Sequence, residues 1–245
     1  MHSTIADELR LRLLPVAVLF TEQRPEGALQ FAQGKWACLV PRLVQAAQGQ
    51  TAVFDAQTIP CRGGAVGLEF ADNYGEPEAH AYFLSVGGGP SRREGEGYKR
   101  TPDLVRAAMD SQPNVRAPET YRVFKPLAEV DPETETPRLV VFLANPDQIS
   151  ALTVLANYGR PSNDNVILHF VSGCGSFCLL PDQLNRQDPL RAMLGMIDIS
   201  ARPYVPADVL SFTVPWPMFL EMEGNVRGSF LDRKDWQRIK PRLSE

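Results

Sequence analysis

Four cysteines, Cys38, Cys61, Cys174 and Cys178, carry most of the chemistry this sequence offers. They are spaced as C-x22-C, then a gap of 112 residues, then C-x3-C. Four thiols equal the ligand count of a 4Fe–4S cluster or of a structural zinc ion. Glycines surround them: Cys61 opens Cys61-Arg62-Gly63-Gly64-Ala65-Val66-Gly67, and Gly173 and Gly175 flank Cys174. Glycine permits the sharp turns and inward-pointing amides that thiolates and cluster sulfurs need. Gly63, Gly64 and Gly175 are therefore candidate cofactor-binding positions. Arg62 joins them, because a planar guanidinium can neutralise a thiolate-bound cluster or clamp a small anion. The spacing lacks the C-x2-C pairs of zinc ribbons and the C-x2-C-x2-C run of bacterial ferredoxins. Free cysteine is also among the most buried residue types, so four ordinary core thiols stand as the other reading.

Other chemistry finds less support. His80 and His169 are the internal histidines, and His169 lies five residues before Cys174 as either a ligand or a satisfied core histidine. Arg202 is an anion clamp or, more simply, a salt-bridge partner. The Gly87-Gly88-Gly89 run lacks the G-x-x-x-x-G-K-[ST] pattern and reads as a flexible lid or solvated loop. There is no G-x-S-x-G, so triad hydrolase chemistry is disfavoured. Phe212, Trp216 and Phe219 read as core packing.

The elements that must position the cysteines follow from apolar periodicity. A short amphipathic helix from Ile5 to Leu13 precedes a buried strand at Val16 to Phe20. A helix follows over Trp36 to Ala47, closed by Gly49, with Pro41 in its first turn. Strands are expected at Thr51 to Phe54 and Ala81 to Val86, with a glycine turn at Cys61 to Gly67 between them. Gly87 to Gly97 reads as an exposed, mobile loop, and Asp103 to Met109 as a helix. The acidic, proline-bearing stretch Glu129 to Pro137 separates two halves, 1–130 and 138–245. Beyond it the pattern predicts a strand at Leu139 to Leu143, a helix at Pro146 to Tyr158 and a strand at Val166 to Val171 that runs into the Cys174 turn. Further elements are a strand at Met196 to Ser200, a short helix after Pro206, a strand at Leu210 to Val214 and a helix at Pro215 to Met222. An amphipathic segment over Phe230 to Ile239 ends the chain. Each half carries helices, strands and a cysteine in a glycine turn. The expected fold is thus α+β, with two related α/β-type halves packed on each other and a mixed sheet.

Composition bounds the rest. The 245 residues are 44% hydrophobic and 22% charged, which suits a globular core. With 25 basic against 29 acidic residues the formal net charge is −4, so general attraction to nucleic acid is disfavoured. Leu13 to Phe20 is too short to span a bilayer and follows Asp7 and Glu8, which do not suit an export signal. The expectation is a cytoplasmic protein, where thiols stay reduced. A homodimer is the base expectation for oligomeric state.

Lys35-Trp36-Ala37-Cys38, the Phe54-Asp55 step before the Cys61 turn, Val140 to Asn145 with Pro146-Asp147-Gln148, and Gly173-Cys174-Gly175 together resemble the ArCR proteins, Domain of Unknown Function family 169. The resemblance spans about Ile5 to Leu220 and brings no established reaction. It implies a prokaryotic cytoplasmic protein whose cysteines bind an iron–sulfur cluster or another metal, and it places emphasis on Cys38, Cys61 and Cys174. Relatives carry a further cysteine ahead of the arginine near the carboxyl end, where this chain reads Ile199-Ser200-Ala201-Arg202. Cys178 is then the candidate to supply the missing thiolate. The expectation is a cluster held by Cys38, Cys61, Cys174 and Cys178, with zinc as the weaker alternative and a redox partner or a small anionic ligand as counterpart. A metal-free module that binds a small molecule or a partner is the competing reading.

Overall fold

A computed structural model describes residues 1–113 and 115–244, without the side chain of Ser244. It is an α+β structure built on one mixed sheet. Seven strands are β1 (Val16–Thr21), β2 (Ala52–Phe54), β3 (Tyr121–Pro126), β4 (Leu139–Ala144), β5 (Val166–Leu168), β6 (Ala192–Gly195) and β7 (Leu210–Pro215). Their spatial order is β2-β3-β1-β4-β7-β6-β5, antiparallel throughout except for the parallel β5–β6 pair. Strands from before residue 130 fill one side of the sheet and those after 138 the other. They meet where β1 pairs with β4, Val16 opposite Val141 and Val18 opposite Leu139. The sheet therefore runs unbroken through the expected boundary.

Strands buried on both faces read as continuous apolar runs, and alternate side chains then go to opposite cores. Ala17, Leu19, Val140 and Phe142 point to one face, covered by α1 (Thr4–Glu8), α6 (Pro146–Tyr158), α8 (Trp216–Gly224) and α9 (Lys234–Ile239). Phe212 and Phe219 lie in this core, as expected of packing aromatics, with Trp216 stacked on Phe219. Val16, Val18, Phe124 and Val141 point to the other face, under α2 (Val40–Ala47), α3 (Arg62–Gly67) and α7 (Leu180–Asn185) with the turn that precedes it. All four cysteines belong to this second face. Among the described residues no helix is long and apolar enough to cross a membrane.

Local signals explain where elements start. Asn145 and Gln148 form a reciprocal capping box at α6, whose Pro146 occupies the first turn, where its missing N–H is no loss. Several expectations are corrected. Residues 81–86 are not a strand: α4 (Pro77–Phe83) starts at a proline, and only Ala81 of its residues is buried. The expected Trp36 to Ala47 helix starts at Val40, because Pro41 fits only a first turn, and leaves Trp36 to Cys38 outside it. The Cys61 segment is the helix α3 rather than a turn, and Gly173 to Cys174 opens a helix in place of a turn. No strand covers 196–200, since Met196 takes φ +59° and Asp198 O accepts the amides of Ala201 and Arg202. No helix follows Pro206. Arg202 caps that loop through Val209 O and Ala207 O, a structural role. Residues 87–97 fold back on α4, with Glu96 N bonded to Phe83 O and Tyr98 N to Leu84 O. α5 (Pro102–Asp110) follows as expected.

Candidate functional site

Cys61 is the N-cap of α3: its Sγ accepts the Gly64 amide at 3.2 Å and also bonds the Gly63 amide. Cys38 sits just ahead of α2 and takes the amides of Leu39 and Val40 in the same way. Cys174 lies in the first helical turn after Gly173, ahead of one turn of π-helix, Gly175–Leu179, a distortion that favours functional positions. Ser176 Oγ fixes this turn, donating to Gly173 O at 2.7 Å and accepting the Met196 amide at 3.0 Å.

α3 and the Cys174 turn touch through backbone. A Cβ on Gly67 would stand 2.5 Å from Cys174 Cβ and 2.9 Å from its carbonyl carbon. Gly67→Ala is expected to cost about 1–3 kcal/mol through overpacking. Gly63→Ala has open space around its Cβ and gains helix propensity of up to about 1 kcal/mol. Thermal unfolding of the two variants checks this; equal melting temperatures would overturn the close-approach argument.

The three thiols Cys38, Cys61 and Cys174 line one cleft of about 1000 Å³. Its floor is the ends of α2 and α3 with the Cys174 turn, and its roof is α4, the 87–97 fold and α5. Burial pushes the Cys38 and Cys61 thiols up against the opposing pull of their amides. Cys174 is raised well above the usual thiol range by burial first, then by Cys61, Cys38 and Asp198 nearby. The thiols are therefore neutral at pH 7.

Asp198, which sequence reasoning passed over, brackets this floor. Its carboxylate accepts the Gly173 amide and the Tyr98 hydroxyl at 2.8 Å each, and the Ser200 hydroxyl at 2.9 Å. Tyr98 comes from the roof, so Asp198 ties roof to floor beside Cys174. Glu96, bonded to Ser200, is pushed up by burial and by Asp198. The only sequence signal for Asp198 is a carboxylate inside an apolar run, Met196 to Ile199. Tyr74 and His80 stack at 4.3 Å and 12° on the cleft wall, and burial pushes the His80 ring down toward its neutral form. His169 lies exposed on the same cleft.

Cys178 does not join the other three. It is fully buried, away from the cleft, and faces Glu69, Asp182, Arg122 and Arg138. Gly63, Gly64 and Arg62 line the cleft; Gly175 does not, and its missing Cβ lets it pack against Val171 and Ser172. Among the described residues no three His, Cys, Asp or Glu side chains are gathered closely enough to hold a metal ion.

A second polar group clamps the helices that carry the cysteines. Arg122 from β3 is fully buried, and donates to Leu68 O at 2.9 Å, Glu69 O at 3.1 Å and Glu119 O at 2.6 Å. It thereby caps the carbonyl end of α3, whose opposite end is Cys61. Phe20 and Phe70 sandwich its guanidinium at 4.2 and 4.4 Å. Beside it, buried Glu69 and Asp182 share Arg186, at 3.7 and 2.9 Å, and Arg138 reaches Asp182 at 3.5 Å.

The family model described as Uncharacterised ArCR, DUF169, matches residues 4–225, and the chain belongs to this family. No curated protein and no solved structure matches it significantly.

Proposed function

We propose that this member of the ArCR family holds an iron–sulfur cluster on Cys38, Cys61 and Cys174 at the floor of the cleft, in a redox, sensing or small-anion role. One observation carries the reading: three thiols from distant parts of the sequence line a single cavity of about 1000 Å³. The donor set suits the group in kind but not in spacing, since the three side chains are not gathered closely enough to hold a single metal ion as they stand. Thiolates are the ligands of such clusters, and the Leu39, Val40, Gly63 and Gly64 amides directed at Cys38 and Cys61 are the donors that ligating sulfur accepts. Cys178 faces its own buried charges and stays outside the set. Ser200 and Ala201 line the cleft where the family resemblance puts a further cysteine, so among its described lining residues the cleft offers no fourth thiol. A cluster with three protein ligands would supply an open iron as a Lewis acid, and Arg62, which lines the same cleft, would receive a small anion. Zinc is the weaker alternative, because it draws its thiolates to about 2.3 Å from one point, whereas a cluster accepts thiolates set farther apart.

Anaerobic purification and reconstitution test this, with visible absorbance, iron and acid-labile sulfide read on one sample. The expected protein is coloured, with matching iron and sulfide. Cys61→Ser and Cys174→Ser lose both, while Cys178→Ser keeps them. Stoichiometric metal retained in both of the first two variants would overturn the assignment. A colourless, metal-free protein would favour the second reading, a small-molecule module, which is supported by thiols that burial keeps protonated.

A further inference from the structure

The roof and mouth of the cleft carry features that a thiol-bound group alone leaves unused. Four of the chain's exposed large apolar side chains, Trp36, Leu104, Phe170 and Tyr204, line this one cleft, and Trp36 is 71% exposed. Apolar surface gathered at a concave site marks a ligand that covers it. The Tyr74–His80 stack adds a flat, uncharged wall.

Charge sets the sign of that ligand. The acids on the floor are engaged: Asp198 holds the amides and hydroxyls of Gly173, Tyr98 and Ser200, and Glu96 bonds Ser200. The cations are not. Among the described residues no carboxylate pairs with Arg62, Lys99 or Arg93, all of which line the cleft, with Glu76 as the remaining acid. Arg93 lies 5.7 Å over the Phe83 ring. The exposed Arg62 side chain passes beside Gly75, where a Cβ, at φ +86°, would lie 2.4 Å from its Nη2.

We propose that the cleft binds a flat organic anion, a carboxylate or phosphate attached to an aromatic body. Arg62 and Lys99 hold its charge, and Trp36 with the Tyr74–His80 stack covers its ring. A guanidinium suits a planar carboxylate or a phosphate equally. This rests on the reading of the cleft as the functional site and names what enters it.

The test uses the full chain and Trp36 fluorescence, since Trp236 is buried and Trp216 packs on Phe219. Titrations with 2-naphthoate, its neutral isostere 2-naphthamide, adenosine monophosphate and inorganic phosphate are followed by this signal and by calorimetry. The expected result is saturable binding of 2-naphthoate or of the nucleotide, with the tighter of the two identifying the head group. The amide and inorganic phosphate each bind at least tenfold more weakly. Lys99→Gln, an exposed substitution, and Arg62→Gln each weaken the flat anion tenfold or more. Equal affinity for naphthoate and naphthamide, unchanged affinity in both variants, or no saturation by either flat anion would overturn the proposal. Iron and sulfide assays on the same preparation separate the two readings. Naphthoate binding by a protein that stays metal-free after reconstitution removes the cluster and leaves this site. A loaded cluster with no anion binding removes this proposal alone.

Discussion

Arg122→Leu is expected to destabilise the protein by about 4 kcal/mol, a large share of the roughly 5–15 kcal/mol that holds a domain folded. Leucine fills part of the volume between Phe20 and Phe70, so cavity formation is not the main cost. The cost comes from the buried carbonyls of Leu68 and Ala117, which lose their donor and are worth about 1–3 kcal/mol each when left unsatisfied, whereas Glu69 O keeps the Ala117 amide and Glu119 O is only partly buried. Glu69 and Glu119 also lose a neighbouring positive charge. Urea denaturation reads the effect as a lower midpoint. An unfolding free energy within about 1 kcal/mol of the parent's would show that these carbonyls find other donors and that Arg122 does not cap α3.

Glu69→Gln is expected to act in the opposite direction, and only above a certain pH. Burial first, and then the Asp182 carboxylate, push Glu69 up from 4.5 to about 7, against the pull of Arg186 and Arg138. The folded state therefore holds a proton on Glu69 that the unfolded chain releases near 4.5. Between these values the folded protein binds more protons than the unfolded one, so stability falls as pH rises through that window. The loss reaches up to about 3 kcal/mol by the time Glu69 has ionised. The groups around it are Asp182 from α7, Arg186 just past its end, Arg138, Arg122 and Cys178. The Cys178 thiol is raised well above its usual range and stays silent across the window. Glutamine keeps the shape, stays neutral and offers an amide to Asp182. The variant should match the parent at pH 5 and exceed it at pH 8. Parallel pH profiles of the urea midpoint would overturn the shared-proton account.

Both predictions concern groups that composition does not single out. Arg122 is one of twenty arginines, and nothing in Tyr121-Arg122-Val123 distinguishes it from an arginine on a solvated strand. Its role comes from the end of α3 being folded against β3, a contact between residues 54 positions apart. Glu69 and Asp182 are likewise distant in sequence, and only the packing of α3 on the Cys174 turn places their carboxyls together. Cys174 and Cys178 look equivalent in the sequence, four residues apart, yet one lines the cleft and the other faces buried charge.

Local signals were legible where they needed no partner. The apolar runs of β1, β4 and β7 and the span of α6 lie where the sequence pattern puts them. The strand expected at 81–86 failed because a short apolar run has no period to tell strand from helix, and Pro77 starts a helix equally well. The glycines of the Cys61 segment signalled a turn, but two of them serve a helix instead: Gly64 donates its amide to the thiol, and Gly67 gives up its side chain to Cys174.

The sequence by itself determined the α+β class, the family and two cysteines in glycine-bearing segments, because these depend on residue type and short spacing. Only the tertiary structure decided which thiols share a cleft, which arginine is buried and which carboxylate ties roof to floor. Those outcomes depend on contacts between residues far apart along the chain, where burial and the nearest charge, rather than residue type, set what each side chain does.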